Sequence, residues 1–291
     1  LKALWRDARI LILDEPTAIL TPAEADELGA VLRRMADAGR SVIFISHKLH
    51  EVTGFCDEAT VLRRGETVAA SLPVAETGAA ELASLMVGAS PVTTGRPPPH
   101  PPGEPLLEVT GLSAVGDRGL TAVDAVDLTV RAGEIVGIAG VSGNGQRELC
   151  QVITGLRPST GGRVSLAGVD LTRASPRTRF RAGLGYIPED RLGVGLAPRL
   201  SVVDNAMLRT YAEHRRGPLL VADRAAAHCA ELVERFSVRT GSLDDPIAGL
   251  SGGNLQRLLV GRELSEHPRV VVAAQPTRGL DVQGVKFIQD L

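Results

Sequence analysis

Leu250-Ser251-Gly252-Gly253-Asn254-Leu255-Gln256-Arg257 runs directly into a segment whose apolar residues, Leu255, Leu258, Leu259 and Leu264, recur at helical spacing. Glycine lets a ligand approach the backbone closely, and the free N–H groups at the start of a helix attract anions. The serine hydroxyl adds one more donor. Ser251, Gly252, Gly253 and Asn254 are therefore candidates for holding a phosphate group. The same residues also suit an ordinary Ser-Gly loop with a helix cap, so the surroundings must decide. Upstream, Leu200 to Tyr211 and Ala222 to Phe236 read as helices. Downstream, Val270-Val271-Val272-Ala273-Ala274-Gln275-Pro276-Thr277 reads as a buried strand running into a turn.

Further out, strands are expected at Leu106 to Val109, Asp127 to Val130 and Glu134 to Ala139. The last of these leads into Gly140-Val141-Ser142-Gly143-Asn144-Gly145-Gln146-Arg147, followed by a helix over Gln146 to Ile153. This is the frame G-x-x-x-x-G-K-[ST], with Gln146 in place of the lysine and Arg147 in place of the hydroxyl. Backbone N–H groups around Gly140, Gly143, Asn144 and Gly145 could still cradle phosphate. The ammonium and the magnesium-binding hydroxyl are missing.

Near the start, Ile10-Leu11-Ile12-Leu13 reads as a buried parallel strand with Asp14, Glu15, Pro16 and Thr17 at its C-terminal end. Ligands of open α/β sheets bind at that end. Two acids there can hold a magnesium ion and orient a water, although they could also simply begin a loop. Pro22 to Ala38 is an amphipathic helix with Leu28, Val31, Leu32 and Met35 on one face, stopped by Gly39. Ser41 to Ser46 is a second buried strand, ending at His47, which alone could be a structural histidine. A hairpin follows at Val61 to Glu66 and a helix at Ala79 to Val87. Pro91 to Pro105, with its Pro-Pro-Pro-His-Pro-Pro run, reads as a linker rather than a groove-binding peptide.

An internal repeat links the two ends. Shifted by 260 positions, Arg9-Ile10-Leu11-Ile12 falls on Arg269-Val270-Val271-Val272, and Pro16-Thr17 falls on Pro276-Thr277. Asp14 then corresponds to Ala274 and Glu15 to Gln275. The counterparts of Ser251 and His47 fall outside residues 1 to 291, so the chain is expected to be cut at both ends.

Together these motifs resemble the fused two-cassette ATPases of the ATP-binding cassette family, which serve bacterial importers of simple sugars and nucleosides. LSGGNLQR is similar to the family's signature, Ile10 to Thr17 to its Walker B motif, and Gly185 to Arg191 to its Q-loop with Glu189 replacing glutamine. The resemblance implies an α/β P-loop NTPase cassette fold with a mixed sheet and a helical signature subdomain, in two tandem and incomplete cassettes. Residues 1–90 would be the C-terminal part of the first cassette, 91–105 the linker, and 106–291 a degenerate second cassette lacking its C-terminal end. It implies Glu15 as catalytic base, His47 as the switch histidine, and Asp14 as the magnesium-associated acid. ATP and Mg2+ are the implied ligands, with Ser251 to Asn254 closing over an ATP held by the other cassette. GVSGNGQREL, YIPEDR, LSGGNLQR and AQPTRGLDV together most resemble the nucleoside branch, with ribose- or galactose-like sugars as the alternative. The implied partners are integral-membrane permease subunits and, indirectly, a substrate-binding lipoprotein, at the cytoplasmic face of the membrane. Residues 1 to 291 alone are expected to be inactive as an ATPase.

Composition narrows the rivals. The 291 residues are 44% hydrophobic and 23% charged with a net charge of −2, and aromatics make up 3%. A near-neutral balance with few aromatics argues against nucleic acid as the partner. A translation or repair cassette should carry a basic arm or long coiled coil, and the sequence has neither. A non-catalytic scaffold is favoured by Gln146, Arg147, Ala274 and Gln275, and opposed by Glu15 and His47. Cys56, Cys150 and Cys229 lack metal-ligand spacing and read as free thiols.

Overall fold

A computed structural model describes residues 8–17, 20–63, 65–88, 101–141, 143–217, 219–280 and 282–291. The chain divides into two compact units, Leu1–Pro97 with Gly279–Leu291, and Pro98–Arg278. Most of the expected 91–105 linker lies outside the described residues.

In the first unit, β1 (Ile10–Asp14) runs parallel to β2 (Ser41–Ile45), with Ile12 opposite Ile43. The crossover between them is α1 (Pro22–Asp37), which has proline in its first turn. Thr21 caps it reciprocally: its hydroxyl accepts from Glu24 N at 3.3 Å, while Glu24 Oε2 accepts from Thr21 N at 2.8 Å. Ala25, Gly29 and Leu32 form the buried stripe of α1. A side chain at Gly29 would strike the ring of Phe55 on α2 (Leu49–Phe55), so glycine here lets the two helices approach. The hairpin β3 (Glu58–Arg63) and β4 (Glu66–Pro73) follows, then α3 (Ala79–Val87). Ala59, Val61, Val74 and Leu82 make a small core with Leu49 and Val52 packed against it.

The parallel pairing is as expected from the sequence, but full burial of these strands is not. Alternate residues of a strand face opposite sides. Leu11 is buried, whereas Ile10, Ile12, Ile43 and Ile45 line an exposed face, with Ile12 64% exposed. The helices cover one side of this two-stranded sheet, and no described element of the unit covers the other.

In the second unit, β5 (Pro105–Val115) and β6 (Thr121–Arg131) form a long antiparallel pair. After α4 (Gln146–Thr154), β7 (Gly161–Leu166) and β8 (Val169–Asp170) complete a sheet of order β6-β5-β7-β8. Next come α5 (Pro176–Arg181), β9 (Leu184–Ile187) and a π-helical turn at Arg191–Gly195. Then α6 (Val202–Met207), a short hairpin of β10 (Arg215–Arg216) and β11 (Leu219–Leu220), α7 (Ala222–Arg235) and α8 (Gly252–Ser265) form the helical part. Last, β12 (Val270–Ala273) pairs in parallel with β9. One core joins Leu107, Leu112 and Val164 of the antiparallel sheet to Leu149, Val152 and Ile153 of α4, and to Leu184 and Val270 of the parallel pair. A closing helix, α9 (Val282–Gln289), lies beside α3 and groups with the first unit rather than with the expected span 106–291.

Two expected elements differ. Glu134 to Ala139 is not a strand: it pairs with no described strand, and Ile135 is 99% exposed. A strand exists only through a ladder with a neighbour, which an apolar pattern cannot supply. The helix expected over Leu200 to Tyr211 is confined to α6. Beyond Met207 the backbone tightens into turns, Thr210 N donating to Met207 O at 3.0 Å and Glu213 N to Thr210 O at 2.8 Å. These turns carry Arg209 inward to a buried ion pair with Glu263.

Candidate functional site

Glu15 follows the last residue of β1 with φ 46, a left-handed turn conformation unusual outside glycine. Its N–H donates to Ile45 O at 2.9 Å, which fixes the turn to the end of β2. Glu15 Oε1 accepts from the His47 backbone N–H at 3.1 Å and lies 2.7 Å from His47 Nδ1. Oε2 is buried and has no hydrogen-bond partner. One oxygen is thus engaged by histidine and the other is a buried acceptor with no partner in the protein, a lone pair left unspent on the fold. Asp14 stands exposed at the strand end beside it. The residues the sequence singled out as Glu15 and His47 are therefore brought together.

Two neighbours, Glu51 and Lys48, escaped the sequence reading. Buried Glu51 accepts from Thr17 Oγ1 at 2.6 Å and from Ser46 Oγ at 2.7 Å, and pairs with Lys48 Nζ at 3.1 Å. A usable signal existed: Glu51 lies one turn before Phe55 on α2, so an acid shares the helix's inward face.

In the second unit Ser251 caps α8, its hydroxyl accepting from Asn254 N at 3.4 Å and from Asn254 Nδ2 at 3.0 Å. Asn254 Oδ1 accepts from Arg239 N at 2.8 Å. Gly252 and Gly253 leave the helix start without side chains. Gln256 Nε2 donates to Pro276 O at 2.8 Å, linking α8 to the turn after β12. Glu263, at the far end of α8, accepts from Tyr186 N of β9 at 3.0 Å and from Arg262 Nε at 3.1 Å. Burial pushes the Tyr186 phenol up to about 12 and the Arg262 guanidinium down to about 10.

The glycine loop keeps its backbone shape, with Gly143 at φ 93 and Gly145 at φ 90 as α4 begins. A side chain at Gly145 would meet the backbone carbonyl of Ala122, so the loop is seated against β6. Both altered positions are occupied with protein contacts. Gln146 Nε2 turns back to donate to Val141 O at 3.3 Å. Arg147 Nη2 donates to Asp117 Oδ2 at 2.5 Å and to Glu148 Oε1 at 3.0 Å. A cavity of about 1030 Å³ opens between this loop and β12, with Gly140, Glu189 and Gln275 at its polar side. Glu189, at the expected Q-loop position, is held in an ion pair with Arg278. Ser251 to Asn254 and the Glu15–His47 pair belong to different units.

The family model described as ABC transporter matches residues 123–278, more than half of the chain. The chain belongs to the ABC transporter family. Among curated ABC proteins it is 49% identical to a glucose import ATP-binding protein of Haloferax volcanii, over 100% of this chain and 53% of that one. It is 39% identical to a nucleoside import ATP-binding protein of Lactococcus lactis, over 99% of this chain and 57% of the other. The chain thus spans about half the length of the curated relatives it matches. Among solved structures, an ATP-binding cassette dimer in a post-hydrolysis state with ADP and Pi matches with a TM-score of 0.54 at 23% identity, covering 64% of this chain and 80% of that chain. That likeness establishes the P-loop cassette fold. The family model matches one stretch, so the tandem arrangement rests on the internal repeat alone.

Proposed function

We propose that this chain is the ATP-hydrolysing part of an importer's ATP-binding subunit, and the observation that carries the reading is the Glu15–His47 pair at 2.7 Å. Glu15 accepts the proton of the attacking water on its unpartnered Oε2, once the turn admits that water, while His47 holds the other oxygen in place and reaches the γ-phosphate. Ser251, Gly252, Gly253 and Asn254 supply hydroxyl, amide and backbone donors to the phosphates of ATP from the start of α8. Asp14 suits Mg2+, which needs only one or two carboxylates beside phosphates and waters and would neutralise charge on the phosphates. Its exposure at the strand end leaves room for such a hydrated ion.

The repeat supports a tandem reading in which β12, Ala274 and Gln275 belong to a second, degenerate cassette. Gln275 sits at φ 47 and Glu15 at φ 46, so the corresponding residues share a left-handed φ. Residues 1–90 and 106–291 would then be parts of two cassettes joined through 91–105. The partners on this reading are permease subunits, with a substrate-binding lipoprotein acting through them, and no nucleic acid. None of the described helices is long and apolar enough to cross a membrane, which suits peripheral attachment at the cytoplasmic face. Nucleosides are the proposed cargo, from the motifs around Gly140, Tyr186 and Gln275. A second reading, a simple sugar, is favoured by the 49% identity to the glucose import relative.

The test is Glu15→Gln in the gene of the cell that encodes the chain, with uptake of labelled guanosine and labelled glucose measured in parallel. Loss of guanosine uptake alone is the expected result. Loss of glucose uptake alone moves the cargo to sugars, and retention of both, and of labelled ribose and galactose uptake, overturns the importer reading.

A further inference from the structure

Glu51 is 0% exposed, and its hydrogen-bond partners and the lysine it pairs with come from the two loops that carry Glu15 and His47. Thr17 follows Glu15 by two residues and Ser46 immediately precedes His47. Oε1 of Glu51 accepts from Thr17 Oγ1 at 2.6 Å and faces Lys48 Nζ at 3.1 Å, and Oε2 accepts from Ser46 Oγ at 2.7 Å. Lys48 closes the knot: its Nζ donates to Thr17 O at 2.9 Å and its backbone N–H to Ser46 Oγ at 3.1 Å. The imidazole of His50 lies at 4.0 Å on the solvent side. Burial pushes the Glu51 carboxyl up, but hydrogen bonds from Thr17, Ser46 and Lys48 outweigh it and hold the group below its ordinary value.

A buried carboxylate is costly unless every oxygen is engaged, and an apolar residue would fill the same space on α2 without that cost. The charge is explained by what it fastens. We propose that Glu51 is the positioning residue of this site, tying the loop after β1 to the loop after β2 and so holding His47 against Glu15. The inference rests on the functional reading of Glu15 and His47 given above. Glu51 touches neither the water nor the phosphate; it acts through Thr17 and Ser46.

An ionised Glu15 can only accept, so His47 Nδ1 must carry the proton in the 2.7 Å contact. Long-range proton–nitrogen NMR of His47 in the 291-residue chain reads that tautomer directly. Glu51→Gln should keep the far-UV spectrum and shift His47 toward a mixture with the Nε2–H form. Thr17→Val and Ser46→Ala each remove one donor and keep Glu51, so they should give part of the same shift should Glu51→Gln not fold. In the protein purified from its own cell, Glu51→Gln should lower kcat for ATP about ten- to hundredfold and leave KM within about twofold, as loss of alignment does. An unchanged His47 signature in all three variants overturns the proposal. If His47 shifts but neither Glu51→Gln nor Glu15→Gln lowers turnover, positioning stands and the hydrolytic reading falls. If Glu15→Gln abolishes turnover while Glu51→Gln leaves kcat and His47 unchanged, the positioning role falls alone.

Discussion

Glu15 and Gln275 share a left-handed φ, at 46 and 47, each just past a parallel strand. Around Glu15 the polar groups converge: His47 takes one carboxylate oxygen, the other is buried and unpartnered, and Glu51 braces both loops. Around Gln275 they are spent on the fold. Glu189 is paired with Arg278, Arg191 reaches the Arg278 carbonyl, and Gln256 donates to Pro276 O at 2.8 Å. The packing runs the other way. The turn with the reactive groups lies in a unit whose sheet has one bare face, and the inert one lies in the unit with the larger continuous core. The comparison teaches that backbone conformation, packing and chemistry vary separately, so a retained left-handed φ is no evidence of retained function.

The largest expected effect tests the chemical half of that contrast. A positioned base contributes about 10²–10⁴-fold in rate, and an amide of equal size cannot take the proton. Glu15→Gln in the protein purified from its own cell should therefore cut ATP turnover by about that factor. The reverse change, Gln275→Glu, should leave turnover within about twofold, because Ala274, Gln146 and Arg147 still lack the acid, ammonium and hydroxyl. Severalfold activation by Gln275→Glu would erase the proposed difference between the two turns.

Much of this contrast was readable from the sequence because it depends on local spacing. α1 and α8 follow from apolar periodicity, with Gly39 stopping the one and Ser251 capping the other, and the β1–β2 pairing follows from two apolar runs separated by a helix. Gln146 and Arg147 declared the missing lysine and hydroxyl by position alone. What failed depends on distant partners. Glu134 to Ala139 has strand composition, but a ladder needs a neighbour that composition cannot name. Glu51 and Asp117 are ordinary charged residues in the sequence, and only folding brings Thr17, Ser46, Arg147 and Arg157 to them.

The packing half of the contrast gives the next effect. Leu258 on α8 is 0% exposed, and Leu258→Ala should cost about 2–5 kcal/mol of stability in urea unfolding of the second unit. Ile12, on the bare face of β1, should behave otherwise. Ile12→Thr removes no buried contact there and should change stability by no more than about 0.5 kcal/mol. A loss at Ile12 comparable to that at Leu258 would mean that something covers this face in solution, and the two units would no longer differ in the way described.

The smallest effect concerns Arg147, where the second unit's loop most plainly exchanges ligand chemistry for structure. Hydrogen bonds from Arg157 and then Arg147 hold the Asp117 carboxyl below its ordinary value. Arg147→Ser restores the hydroxyl of the phosphate-loop frame and removes the second of these partners. Asp117 should then titrate closer to the ordinary aspartate value of about 3.9, yet stay below it, since Arg157 remains in place. The sign for stability follows from linkage. A carboxylate depressed in the folded state stabilises above its unfolded value, and the contribution disappears as pH falls through the folded value. The difference between wild type and Arg147→Ser should thus exist at neutral pH and fade in acid, and it should be small because the pair faces solvent. Carboxyl carbon NMR of Asp117 across pH 2 to 6, roughly the span over which an aspartate titrates, reads the shift. ATP affinity should not return, because the Gln146 amide still turns into its own loop toward Val141 O and supplies no charge. An unmoved Asp117 midpoint would remove Arg147 from the ion pair. Tight ATP binding by Arg147→Ser would show that the loop lacked only its hydroxyl.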